Sequence, residues 1–180
     1  MAYTNFYGFI DVEYIKQNSV LCSQMEDTFI EPWIQTAQEK WILPILSSGL
    51  YGDMQSEIEL YLNSGTTMST VYVDLLNNYV RNCLMHWVLY EMLPFANFKI
   101  TNINVAKKKS EHSDATDINE LSYLRNSIKA TAQFYQDRLK KHICATHSTL
   151  YPLYNDSFSN TDGTYGQQND KFFGFYINNF

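Results

Sequence analysis

The chain has 180 residues, of which 45% are hydrophobic and 18% charged. That is one domain, or one domain and a tail, about 16 Å in radius of gyration when compact. A fully disordered chain is excluded. A balance of 13 basic against 19 acidic side chains, net −6, argues against a dedicated DNA-binding domain held by a basic surface. With 14 Tyr, 11 Phe and 3 Trp and few charges, the surface reads as one meant to be covered by other protein.

Met1–Phe6 lacks a basic region and an apolar run, so no secretory signal is expected. The most apolar stretch, 83–96, is broken by His86, Glu91 and Pro94 and is shorter than the ~20 residues a membrane span needs. Cys22, Cys83 and Cys144 are odd in number and far apart, which reads as reduced thiols in a protein made inside a cell.

In chain order, Asp11 is placed to cap a short helix, Val12–Gln17. Thr28 and Glu31 have capping-box spacing, and Phe29, Ile30, Trp33, Ile34, Ala37 and Trp41 follow as one helical stripe. Pro32 is expected in the first turn, and Pro44 to break the helix near Leu43. A second helical piece, Leu50–Leu62, stops at Asn63-Ser64-Gly65. Ser69–Leu93 reads as the longest helix, with Leu76, Val80, Cys83, Leu84, Trp87 and Val88 on its buried face. Past Leu84 it is apolar nearly all round, which implies burial on several sides, and Pro94 is expected to end it.

From Phe98 the period changes to two: Phe98, Ile100, Ile103 and Val105 alternate, as in a short β-hairpin or extended arm. Lys107, Lys108 and Lys109 follow, then a polar run to Thr116. The next helix opens at Asp117 and carries Leu121, Leu124, Ile128, Ala132, Tyr135 and Leu139 at a 3.5-residue period, suited to a partner lying alongside. Arg138, Lys140, Lys141 and His142 are expected in its last turns, where cations complement the helix dipole. Residues 155–170 have linker composition, and the chain then carries Phe172, Phe173, Phe175 and Tyr176. The fold class is therefore mainly α: a small helical bundle over 1–154, with an arm at 98–116 and an aromatic tail over 155–180.

Catalytic signatures are missing: no phosphate loop, nucleophile elbow or zinc-protease motif occurs. Cys83-x-x-His86 and Cys144-x-x-His147 could form a Cys₂His₂ zinc site if their helices met, but zinc pairs usually sit on turns. Core and helix-end roles are preferred. Asp53, Glu57 and Glu59 read as a hydrated face rather than acid/base machinery. Lys107–Lys109 read as a solvated or partner-facing patch, and Trp33, Trp41, Trp87 and Tyr135 as core. No catalytic residue, metal or cofactor is assigned.

Several segments, taken in order, resemble one group. They are Ile30-Glu-Pro-Trp-Ile-Gln-Thr-Ala-Gln38, Ile42-Leu-Pro-Ile-Leu46 with Leu50-Tyr51, and Leu93-Pro-Phe-Ala-Asn-Phe-Lys-Ile100. Glu120-Leu-Ser-Tyr-Leu-Arg-Asn126 and Ala132-Gln-Phe-Tyr135 with Arg138-Leu139 complete the set. The pattern is similar to the head–tail connector (adaptor, or head-completion) proteins of tailed double-stranded DNA phages, especially those of crAss-like and other Bacteroidetes phages. It covers roughly residues 10–154. The glycine that often follows the hairpin turn in that group is replaced here by Asn102-Ile103-Asn104.

The resemblance implies a helical bundle with a projecting hairpin, assembled as a ring, usually of twelve, beneath the portal vertex of the virion. Such a ring extends the DNA channel, passes DNA without sequence-specific binding, and gives a tail or second ring protein its attachment surface. On this reading Phe98, Ile100, Ile103, Val105 and Lys107–Lys109 form an arm docking on the portal protein or an adjacent subunit. Phe172, Phe173, Phe175 and Tyr176 would be anchors on neighbouring protein. The alternative is a small helical protein-binding or regulatory module with the tail as its recognition segment.

Overall fold

The computed structural model describes residues 6–21, 24–96, 98–100, 105–107 and 118–154. The protein is a mainly α-helical bundle. Its elements are α1 (Val12–Asn18), α2 (Asp27–Ala37), α3 (Leu43–Ser64), α4 (Thr70–Leu75), α5 (Arg81–Ala96), β1 (Phe98–Ile100), β2 (Val105–Lys107) and α6 (Ile118–Leu150). π-Helical turns at Gln38–Ile42 and Leu76–Val80 join α2 to α3 and α4 to α5. Among the described residues no helix is long and apolar enough to cross a membrane.

Asp11 caps α1, its Oδ1 accepting from the Tyr14 N–H at 2.7 Å. The expected Thr28–Glu31 box does not form. Helix α2 opens two residues earlier, with Glu26 as its N-cap and no side-chain cap bond. Asp27 supplies the first-turn negative charge that the helix dipole favours, and Lys16 of α1 holds it at 2.6 Å. Pro32 therefore lies in the second turn, inside the helix. The stripe forms as expected: Ile30, Ile34 and Ala37 are buried, with Phe29, Trp33 and Trp41 packed against the core.

The break expected near Leu43 takes two steps. The Leu43 N–H reaches back five residues to the Gln38 carbonyl, one more than an α-helix allows. Ser47 then leaves helical geometry altogether, at φ 63° and ψ 162°. That region is nearly reserved for glycine. Ser47→Gly should therefore be more stable than Ser47→Ala by about 1 kcal/mol, reversing the order that holds inside a regular helix. Thermal denaturation of the pair checks the sign. Helix α3 ends as its sequence suggests, on Gly65 at φ 67°, whose N–H donates to the Tyr61 carbonyl at 2.9 Å.

Every residue expected on the buried face of the next helix is buried, from Leu76 to Val88, and beyond Leu84 burial extends to Met85, Leu89, Glu91 and Met92. Two expectations fail here. Pro94 does not end α5, which runs on to Ala96; so near the end its missing N–H removes only one bond. The longest helix is instead α6, with 33 residues. Consequently Arg138, Lys140, Lys141 and His142 sit in mid-helix, and the last turn carries His147.

Helices α5 and α6 pack antiparallel. Tyr79 stacks on His142, His86 on Tyr135, and Tyr90 meets Arg125, so contact positions fall along α6 as they rise along α5. Two buried polar side chains, Gln38 and Glu91, find partners in the interior. Gln38 Oε1 accepts from the Phe9 N–H at 2.7 Å, while its amide nitrogen donates to Tyr7 O and Tyr51 Oη, fastening the N-terminal segment to α3. Glu91 Oε1 accepts from both Trp41 Nε1 and Lys40 Nζ at 2.8 Å.

Candidate interaction surfaces

Strands β1 and β2 pair antiparallel, with Phe98 opposite Lys107 and Ile100 opposite Val105. Four of the expected arm residues are thereby brought together. Ile103, Lys108 and Lys109 lie outside the described residues, as do Phe172, Phe173, Phe175 and Tyr176 and the expected opening of α6 at Asp117. The ribbon's principal packing is with the end of α5 that leads into it. An isolated two-stranded ribbon is marginal in water, so this one stands to gain from a partner.

A second surface was not anticipated from the sequence. From Asn119 to Thr131 α6 has no buried residue, whereas Ala132, Leu139 and Ile143 are buried further on. Between that half, α5 and the loop after α1 lies an apolar groove of about 560 Å³. Leu89 and Leu93 form its floor, Leu124 and Ile128 one wall, and Val20 and Leu21 the other. Val20 is 90% exposed and Leu124 45%. The stripe Leu121, Leu124, Ile128 was the available signal: two of its members, Leu124 and Ile128, line the groove opposite α5 instead of closing it.

Of the cysteine and histidine candidates, Cys83, His86 and His147 are occupied with packing. Burial pushes the Cys83 thiol up to about 12, keeping it protonated and a poor nucleophile or ligand at neutral pH. His86, also on the groove, is lowered by burial and stacks on Tyr135 with centroids 5.1 Å apart. Cys144 is exposed, and His147 Nδ1 lies 3.1–3.2 Å from the carbonyls of Ile143 and Cys144. Among the described residues no three His, Cys, Asp or Glu side chains are grouped to hold a metal.

The Asp53–Glu57 face is not simply hydrated. Asp53 accepts from Tyr72 Oη at 2.5 Å and Glu57 from the Ser69 N–H at 2.8 Å, so both carboxylates tie the start of α4 to α3. At the far end of α6, Arg138, Tyr79, His142 and Tyr151 form a ladder, with His142 Nε2 3.0 Å from Tyr151 Oη. Burial, then the nearby Arg138 charge, lowers the His142 pKa, so the imidazole is neutral in the folded protein around pH 7.

The sequence profile of a family of unknown function (DUF6712) matches residues 42–164, from the end of the first π-turn through α6. No curated protein and no solved structure matches the chain.

Proposed function

The chain belongs to that family of unknown function, DUF6712, and from this starting point we propose that it is a head–tail connector subunit of a tailed phage. It is made in the host cytoplasm and forms a ring at the portal vertex of the virion. Its partners are copies of itself, the portal protein above, a tail or second ring protein below, and DNA in transit. The role is structural, without a catalytic centre.

The observation that carries this reading is the β1–β2 ribbon between α5 and α6, on an otherwise helical bundle and packed chiefly on its own base. It falls at the position of the projecting hairpin implied by the connector resemblance. Net charge supports the same role. A ring of subunits carrying −6 each would repel DNA and keep it from adhering to the bore.

Deleting residues 100–109 is expected to leave the helical signal of the bundle unchanged while abolishing docking to the portal, as imaged by electron microscopy of the mixed proteins. Unchanged docking would reject the arm. The apolar groove favours a second reading, a small helical protein-binding module. Under that reading the protein remains a monomer or dimer and portal makes no difference to it.

A further inference from the structure

The groove between α5, α6 and the loop after α1 is lined by uncharged residues throughout, mostly apolar, and its volume of about 560 Å³ falls within the ~300–1,000 Å³ range of sites that enclose small ligands. We propose that it receives the aromatic segment Phe172–Tyr176 of a second copy of this chain.

Three observations select that occupant. The first is chemical complementarity. Residues 172–180 contain no charged side chain and include four Phe, one Tyr and one Ile, so neither surface loses the hydration of an ion on contact. Aromatic side chains inserted in a desolvated apolar pocket are the usual anchors of protein interfaces.

The second is where the chain leaves the bundle. Tyr151 is buried at the far end of α6, and the Leu153 backbone lies against Gly49 of α3. The groove is at the opposite end, around Leu124 and Ile128. From Ile128 to Leu150 α6 rises about 33 Å. The third is reach. Residues 155–171 as a coil have a root-mean-square span of about 23 Å. To fill the groove of its own subunit, the segment would have to hold the intervening chain well beyond that span, at an entropic cost. A neighbouring copy can present the segment unstretched, a gain that offsets part of the freedom lost on association.

Donor at one end and acceptor at the other make a head-to-tail contact, which closes into a ring or grows as an open chain according to the rotation between copies. The contact requires only this chain, and holds whether or not a portal is its partner.

Complementation between full-length variants tests it. Val20→Glu with Leu124→Glu spoils the groove at two exposed positions, leaving the tail intact. Replacing Phe172, Phe173, Phe175 and Tyr176 by Ser spoils the tail, leaving the groove intact. With circular dichroism confirming folding, sedimentation equilibrium should show that the wild type self-associates and that each variant alone does so at least about thirtyfold more weakly. An equimolar mixture should recover a 1:1 dimer. The proposal is overturned by a wild type monomeric at 1 mM or by assembly that ignores both sets of changes, as when residues 101–117 fill the groove. It is equally overturned by a mixture that fails to pair; a tail that occupies its own groove shows instead as the monomeric wild type.

Discussion

Trp87→Ala is expected to remove about 3–5 kcal/mol of stability, a large share of the ~5–15 kcal/mol that holds a domain together. Trp87 is 1% exposed at the centre of the bundle. Its ring lies on that of Trp41, centroids 3.6 Å apart and nearly parallel, and Tyr90 meets it edge-on at 5.4 Å. Truncation therefore removes the largest fully buried side chain among the described residues and uncovers the inner face of Trp41. The indole N–H of Trp41 is committed to Glu91, and Lys40 lies 5.1 Å from its ring centre. Trp41 can fill the void only by abandoning those partners. Incomplete relaxation of this kind puts a large-to-small change at the costly end of its range. Urea denaturation followed by far-ultraviolet circular dichroism measures the loss. A cost under about 1 kcal/mol would show that the two indoles are not packed on one another.

Gly49→Val is expected to cost about 2–3 kcal/mol and to free the turn that follows α6. A Cβ at position 49 would stand 2.3 Å from the Leu153 carbonyl oxygen. The obstruction is backbone, so no rotamer change relieves it. The 151–154 turn must lift, with loss of the Tyr151 ring from the core and of its hydroxyl from His142. Limited proteolysis by an enzyme that cleaves after aromatic residues should then cut after Tyr154 faster than in the wild type, Tyr151 being protected by Pro152, alongside a lower denaturation midpoint. Equal cleavage rates and equal midpoints would show that the chain end does not rest on α3.

Much of the architecture is written in local pattern. The stripe Ile30, Ile34, Ala37, the all-round apolarity beyond Leu84 and the αL stop at Gly65 each depend on residues within a turn or two, where sequence periodicity carries the information. The two-residue alternation from Phe98 likewise marks the paired strands. What escaped depends on distant groups. Nothing near Gln38 announces a π-turn: its amide is drawn inward by Phe9 and Tyr7, some thirty residues earlier, and by Tyr51. Asp53 and Glu57 look like an ordinary wet face until α4 supplies Tyr72 and Ser69. The capping box at Thr28 lost to an N-cap two residues earlier, at Glu26, next to which Lys16 on another helix pairs with Asp27. The groove escaped for the same reason: an apolar stripe reveals that a helix face is buried or bound, but only the packing of the neighbouring elements tells which.

The π-turn at Leu76–Val80 also bears on how this helix tolerates change in its gene. A loop closed five residues back holds one residue more than its α-helical neighbours. Loss of a single codon there, such as that for Asn77 or Asn78, both exposed, would let the segment relax into an uninterrupted α-helix with its two flanks still in phase. The same loss a turn or two further along would swing everything beyond it by about 100°, carrying Cys83, Trp87 and Val88 out of the interior. Length variation along α4 and α5 is thus permitted at one place and forbidden beside it.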